Sequence, residues 1–473
     1  MNKQLKLFLE NFIFYGGLSM LQKALPFLTL PIITSLLPDS SSYGIADMFT
    51  LLVSFGSALA ILGMYDAMFR EFFEDENNFE YKKKVTSTGL NIVLISGLIV
   101  MFLVILFNKF LSNILFKDIR YSKLILISGI AILISALNTI IASPTRMRNQ
   151  RKIFLITGLL FPIIGFASTY FFIKKGYTYE ALVYGTVSMN STSLIVFFIL
   201  NHKDFSLKIL DKKVAKELLK IGIPLLPTFL IYWIFNSMDR IMINKMIGSS
   251  ELGVYSVGSK VASVSQLIHL AFAGGWSYFS FSTMKDEKQV KNNSKVFEYL
   301  GIVSLIAFIL TLPFIKLVFD TFFKGDYIRG QEVFPYIFLS PLLLMLFQVL
   351  ANQMIIIKKS YLSTLSLVSG AILNIILNYI LIKSYGIRGA AFSTLISYVI
   401  SVIIMSLICI KYEQLILEKK FIFISAILFL GLVISFYFEN NISLIYGIYL
   451  FVLFLILVLY TKDIKDVFKN IKK

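Results

Sequence analysis

Long apolar stretches alternate with short polar turns from one end of the chain to the other. A helix needs about twenty apolar residues to cross the roughly 30 Å of bilayer hydrocarbon. Stretches of that length fall at about 12–36, 44–68, 85–107, 122–143, 153–173, 181–200, 222–246, 251–283, 296–319, 333–357, 361–384, 388–410, 421–438 and 442–461. The pattern predicts an all-α polytopic membrane protein with about 14 transmembrane helices. The longest outer connection has about fourteen residues and the longest inner one about twenty, too few for a soluble catalytic domain.

The turns carry a second, longer period. Gly44-Ile45-Ala46 follows a serine-rich turn and opens the second span, and Gly253-Val254-Tyr255 follows Gly248-Ser249-Ser250 and opens the eighth, 209 residues later. Lys174-Lys175-Gly176 precedes the sixth span and Lys383-Ser384-Tyr385-Gly386 the twelfth, 210 residues later. Two landmarks at nearly one offset predict a duplicated six-helix unit. Both copies start from the same side, so they are parallel repeats about an axis along the membrane normal. The expected organisation is a six-helix lobe at 1–204, a linker helix at 205–220, a second lobe at 221–412, and two further helices with a basic tail at 413–473. In the linker, Leu207, Leu210, Val214 and Leu218 recur at helical spacing with the lysines mainly elsewhere. That is the pattern of an amphipathic helix lying in the inner interface, with an ordinary solvated linker as the alternative. Pro26 and Pro31 interrupt the first span and Pro224 and Pro227 the seventh. Proline removes a backbone donor and bends a helix, and broken helices at matching places in two repeats point to moving parts, or else to static kinks.

Charge inside the spans is the main functional signal. An ionised group at the bilayer centre costs roughly 2.5–3.5 kcal/mol on insertion scales, so such residues persist where they face a bundle interior or a wet cavity. Lys23, Asp47, Asp66, Asp239, Arg240 and Lys260 all fall in spans one, two, seven and eight, and spans three to six hold none apart from Lys123, which belongs to the edge of the outer loop at 108–121. Asn236, Arg240 and Asn244 share one face of the seventh span, and Ser256, Lys260 and Ser263 form a stripe on the eighth. The tight turn at 248–250 joins these stripes into one hairpin lining. Lys23, Arg240 and Lys260 are candidates to attract an anionic substrate, with Asn236 and Asn244 beside them. Asp47, Asp66 and Asp239 are candidates to exchange protons or sodium ions. The structural alternatives are an ion pair from Asp239 or Arg240 to another helix, solvation of Asp47 and Asp66 at span ends, and a hydrogen-bonded bundle position for His269.

Composition changes the picture in three places. A formal charge of +18 would suggest nucleic acid in a soluble chain. Here the inner connections carry 30 of the 45 Lys and Arg and the outer ones 12, which places both termini in the cytoplasm. The basic surplus is topology and contact with anionic membrane lipid, with no nucleic acid partner. A single cysteine, Cys409, excludes an internal disulfide, and His202 and His269 give no metal signature. Lys3 and Lys6 precede an apolar run with no convincing cleavage site, so the first span is expected to remain uncleaved. The chain has no phosphate loop, no G-x-S-x-G elbow and no H-E-x-x-H, and calls for no cofactor.

Asp239-Arg240-Ile241, Ile247-Gly248, and Glu251-Leu252-Gly253-Val254-Tyr255-Ser256 with Lys260 resemble the signature between the seventh and eighth helices of Wzx-type polysaccharide biosynthesis flippases. These belong to the multidrug/oligosaccharidyl-lipid/polysaccharide exporter superfamily. The resemblance extends over the whole chain and implies a flippase, not an enzyme. It would move undecaprenyl-pyrophosphate-linked oligosaccharide, of O-antigen, capsule or lipopolysaccharide type, across the cytoplasmic (inner) membrane by ion-coupled alternating access. The resemblance also implies H+ or Na+ as coupling ion, and a polysaccharide polymerase and chain-length proteins as partners. By that analogy Lys23, Arg240 and Lys260 face the cavity and meet pyrophosphate or acidic sugars, although three acids match three bases inside the spans. The alternatives are a lipid II flippase, a multidrug or cation antiporter of the same superfamily, and, from another class, an integral-membrane polymerase or ligase.

Overall fold

Residues 25, 27–75, 78–437 and 442–461 are described by a computed structural model. All regular structure among them is helical: α1 (Phe27–Leu36), α2 (Ser40–Ile61), α3 (Met64–Phe72), α4 (Phe79–Leu106), α5 (Asn108–Phe116), α6 (Ser122–Met147), α7 (Arg151–Lys174), α8 (Tyr179–Asn201), α9 (Lys212–Ile247), α10 (Ser249–Ala262), α11 (Gln266–Ser282), α12 (Gln289–Phe322), α13 (Phe334–Ile356), α14 (Tyr361–Lys411), α15 (Lys419–Tyr437) and α16 (Ile442–Leu459). Ten helices among the described residues are long and apolar enough to cross a membrane, as a multi-pass membrane protein requires. α14 is two helices in sequence: Gly386, at φ 57° and ψ −139°, breaks it between the spans expected at 361–384 and 388–410.

The apolar pattern locates the helices, and polar side chains set their ends. Asp39 starts α2 by accepting the Ser42 N–H at 2.9 Å, and Asp211 starts α9 by accepting those of Lys213 and Val214. The span expected at 44–68 is divided: Leu62 and Gly63 both lie in the left-handed region and turn the chain into α3. A Cβ on Gly63 would sit 2.4 Å from the Gly222 carbonyl oxygen, so the turn nests against α9. The span expected at 251–283 is divided in the same way, by a 3-10 turn at Ser263–Ser265.

Two expectations about the middle of the chain are corrected. The linker is not helical from 205, since α9 begins at Lys212. The backbone of 204–211 instead finds its partners on α4. Thr86 Oγ1 donates to the Asp204 carbonyl at 2.5 Å, and Asn91 Nδ2 donates to those of Leu207 and Ile209. The hydroxyls of Ser87 and Thr88 accept from the N–H groups of Ser206 and Asp211. A segment whose backbone groups are already satisfied gains little from coiling. Leu207 and Leu210 consequently point outward, whereas Val214 and Leu218 are buried in the helix proper. The prolines do not interrupt the seventh span either: α9 runs through Pro224 and Pro227 without leaving the helix.

The helices cluster into two compact units. The first holds the described residues through Val261 with Phe322–Glu332 and Ala371–Ala390. Its core is a continuous apolar cluster that includes Phe49, Met64, Met68, Ile132 and Leu218. The second holds Ala262–Thr321, Val333–Gly370 and the described residues from Ala391 onward. There α15 and α16 pack through aromatic contacts: Phe436 stacks on Phe392 at 4.1 Å, and Tyr449 meets Phe308 edge-on. In this unit Glu298 is buried, accepts from the Tyr460 phenol and lies 3.9 Å from Lys420.

Candidate functional site

The site is built in the first unit by α2, α9 and α10. Gly248, at φ 101°, ends α9 and lets α10 start at once, and Ser249 ties the turn by donating to Asn244 Oδ1 at 2.7 Å. α2 crosses α10 at close range. Cβ atoms on Gly44 and Gly253 would lie 1.9 Å and 1.8 Å from the carbonyl oxygens of Ser249 and Ser40. Only two facing glycines allow backbones this close.

That crossing brings four of the predicted charges together. Arg240 Nη1 lies 3.6 Å from Asp47 Oδ2, and Ser256 Oγ donates to the same oxygen at 2.8 Å. The Arg240 contact is longer than a hydrogen bond and acts as a through-space ion pair. Asp239 is buried, accepts the Arg240 backbone N–H at 2.8 Å and is capped by the Tyr255 hydroxyl. Lys260 Nζ donates to the Tyr43 hydroxyl at 2.5 Å and sits 4.8 Å from the centre of that ring. Asp47, which the sequence left open as a solvated span end, is 5% exposed and engaged by Arg240 and Ser256. Arg240 has the ion pair to another helix that was one of its two readings.

A cavity of about 250 Å³ opens beside this cluster, below the 300–1,000 Å³ usual for drug-sized ligands. Its polar lining comes from Thr29, Tyr43, Asp47, Thr50, Thr169, Thr186 and Lys260. Lys260 is exposed to it, whereas Asp47 and Tyr43 are buried in its wall. Thr50 and Thr186 donate their protons to the carbonyls of Ala46 and Leu182, each at 3.0 Å, so both present lone pairs to the space. The site therefore offers one ammonium, one carboxylate and several acceptors against an apolar wall.

The other predicted residues do not join it. Asn236 is exposed and donates to the Tyr232 carbonyl of its own helix. Asn244 is buried and fastens α9 to α5 by donating to the Leu115 carbonyl at 2.6 Å. Asp66 is exposed on α3, beyond the break at 62–63, and is not brought to the other acids. Lys23 lies outside the described residues. In the second unit His269 pairs with Gln348 at 3.0 Å, the bundle position expected of it. Sequence reasoning missed Tyr43, Tyr255, Thr169 and Thr186. Tyr43 stands one helical turn before Asp47, which was a signal available in the sequence.

A family model described as polysaccharide biosynthesis protein matches residues 36–319. The chain belongs to that family. The matched region carries every described residue of the charge cluster and the cavity except Leu25, Thr29, Leu30 and Ile33. The fold of this polysaccharide biosynthesis family member is similar to that of a lipid II flippase, MurJ, in an inward closed conformation. The TM-score is 0.63 at 18% identity over 97% of this chain and 99% of that one. It is also similar to an inward-facing multidrug resistance MATE family transporter of the MOP superfamily, with a TM-score of 0.62 at 16% identity over 81% and 93%. A MOP superfamily transporter from Pyrococcus furiosus follows at 0.56, 14% identical over 84% and 94%. These likenesses establish an all-helical MurJ/MATE-like fold, as the hydrophobic pattern and the signature between spans seven and eight anticipated. An uncharacterized membrane protein of Methanocaldococcus jannaschii is 26% identical over 181 residues, 38% of this chain. The chain spans less than half, 43%, of that relative's length.

Proposed function

We propose that this protein flips an undecaprenyl-pyrophosphate-linked oligosaccharide from the cytoplasmic to the outer leaflet of the cytoplasmic membrane by ion-coupled alternating access. The carrying observation is the position of Lys260: a cation exposed to a largely apolar cavity with a polar side, at the meeting point of the helices that hold the buried charges. Membership of a polysaccharide biosynthesis family supports the cargo class. Lys260 serves as the anion-binding group, with Tyr43 steering it. Asp47 and Asp239 serve the coupling ion, H+ or Na+. A cation that reaches Asp47 competes with Arg240 for the carboxylate, and the repulsion between the two like charges at low dielectric favours one displacing the other. Lipid II and cationic drugs are the rival cargoes. A polysaccharide polymerase and chain-length proteins are the proposed partners.

Lys260→Gln should lower surface polysaccharide per inserted protein about tenfold or more, the value of a charge-assisted hydrogen bond. Protein level should hold, because the side chain faces the cavity. Export at the normal rate would sink the anion-binding role. In vesicles, protection of an oligosaccharide on undecaprenyl pyrophosphate, but not of lipid II, would separate the two lipid cargoes.

The charge bias also fixes an expected topology, with both termini cytoplasmic. Cysteines at Ser41 and Lys175 should react with an impermeant maleimide in intact cells, and cysteines at Asn149 and Lys203 only after lysis. The opposite pattern would invert the orientation.

A further inference from the structure

The turn at Gly325–Glu332 touches both helices of the glycine crossing. Asp326 Oδ2 accepts from Ser40 Oγ at 3.4 Å, and the buried Tyr327 donates its hydroxyl to the Asp39 carbonyl at 3.0 Å. Both contacts fall on the first turn of α2 or its cap. The next residues reach the other helix. Arg329 donates to both carboxylate oxygens of Glu251 on α10, at 2.7 Å and 3.2 Å. Gly330 packs so tightly on Gly258 that a Cβ there would lie 2.5 Å from the Gly330 carbonyl oxygen. Between the two helices, Ser40 Oγ and Ser250 Oγ are 2.5 Å apart. One eight-residue segment thus grips α2 with its first half and α10 with its second.

We propose that this segment is a strap that holds the α2–α10 crossing shut at the face assigned to the outside, and that passage of substrate to that face requires strap and crossing to part. The inference rests on the flippase reading for its second half and on geometry alone for its first. In the proposed repeat α2 is the second helix of the first six-helix set and α10 lies in the second span of the second set, so parting them separates the two sets. The strap also reaches the site. Tyr327 meets Tyr43 edge-on at 6.4 Å, and Tyr43 holds Lys260. A ligand that draws Lys260 away from Tyr43 leaves the ring against which Tyr327 packs free to shift.

The test joins Ser40→Cys to Ser250→Cys in the full-length protein. The native Cys409 is fully buried and does not compete for oxidation. A disulfide should form without backbone movement, shield both cysteines from a maleimide–polyethylene glycol, and stop export at least about tenfold, with recovery after dithiothreitol. A second arm reads the strap alone. With a single Ser40→Cys, Arg329→Gln should raise labelling by an impermeant maleimide about two- to fivefold, the shift an exposed ion pair can hold. Arg329→Glu with Glu251→Arg should return labelling to its starting value. Undiminished export through the cross-linked protein would overturn the gate, and equal labelling with and without Arg329 would overturn the strap. If the unsubstituted protein flips nothing, the flippase reading falls, and the strap is still decided by the labelling arm.

Discussion

Replacing Arg240 with glutamine is expected to deplete the protein from the membrane before transport can be scored. Its guanidinium lies 3.6 Å from the buried Asp47 carboxylate, and removing one partner of a buried pair costs about 3–5 kcal/mol. That is a large part of the roughly 5–15 kcal/mol by which proteins are stable. The partner acid decides whether this explanation holds. Arg240→Gln combined with Asp47→Asn leaves no uncompensated charge at that contact, and protein level should recover substantially. Asp239 also loses the nearby Arg240 charge but keeps the backbone N–H of residue 240 and the Tyr255 hydroxyl, so the rescue should be large but incomplete. Arg240→Lys should keep protein level, because at 3.6 Å the pair relies on charge and not on a two-pronged fork. Quantitative blotting of membrane fractions reads all three. Normal abundance of the Arg240→Gln protein would mean that the pair is not structural.

The second large effect is expected at the crossing. Gly253→Ala places a methyl group where the Ser40 carbonyl oxygen already sits, and Gly44→Ala does the same against Ser249. The obstructing atoms are backbone and cannot rotate aside, so the helices must separate. Overpacking of this kind costs about 1–3 kcal/mol or more. Either variant should lower the melting temperature of the purified protein. Either should also abolish cross-linking between cysteines at positions 40 and 250. Full cross-linking yield in the Gly253→Ala background would show that the crossing has room to spare.

The fold was readable because hydrophobic length is a strong signal in a bilayer. What the pattern could not give is where a helix stops for reasons of packing. Leu62 and Gly63 break a span in which neither residue is unusual, because the partner that favours the turn, Gly222, is far away in sequence. The 205–211 segment fails to coil because Thr86, Ser87, Thr88 and Asn91 take up its backbone groups, and those residues look like ordinary polar breaks in an apolar helix. The site was half readable for a related reason. Charge inside a span is conspicuous, so Asp47, Asp239, Arg240 and Lys260 stood out, but the glycine crossing that brings Asp47 to the other three was legible only as a pair of repeat landmarks. Hydroxyls are not conspicuous. Thr169 and Thr186 reach the cavity from helices whose charges, Arg151, Lys152, Lys174 and Glu180, lie only at their ends. Helical spacing alone also placed Asn236 with Arg240, whereas the helix exposes the first and half-buries the second.

The unbroken α9 has a mechanical meaning. Thirty-six residues at about 1.5 Å each make a rod of roughly 54 Å, against about 30 Å of hydrocarbon. Close to half of it must stand clear of the apolar layer, with Lys212, Lys213, Lys216 and Lys220 on the protruding length and Asp239 and Arg240 near the other end. Pro224 and Pro227 supply no N–H, so two rungs of the hydrogen-bond ladder, three residues apart, are absent where the two lengths join. Bending stiffness is lowest there. A sideways push on the lysine-bearing arm is spent at that pivot, while a twist or a pull along the axis passes on to the buried charges.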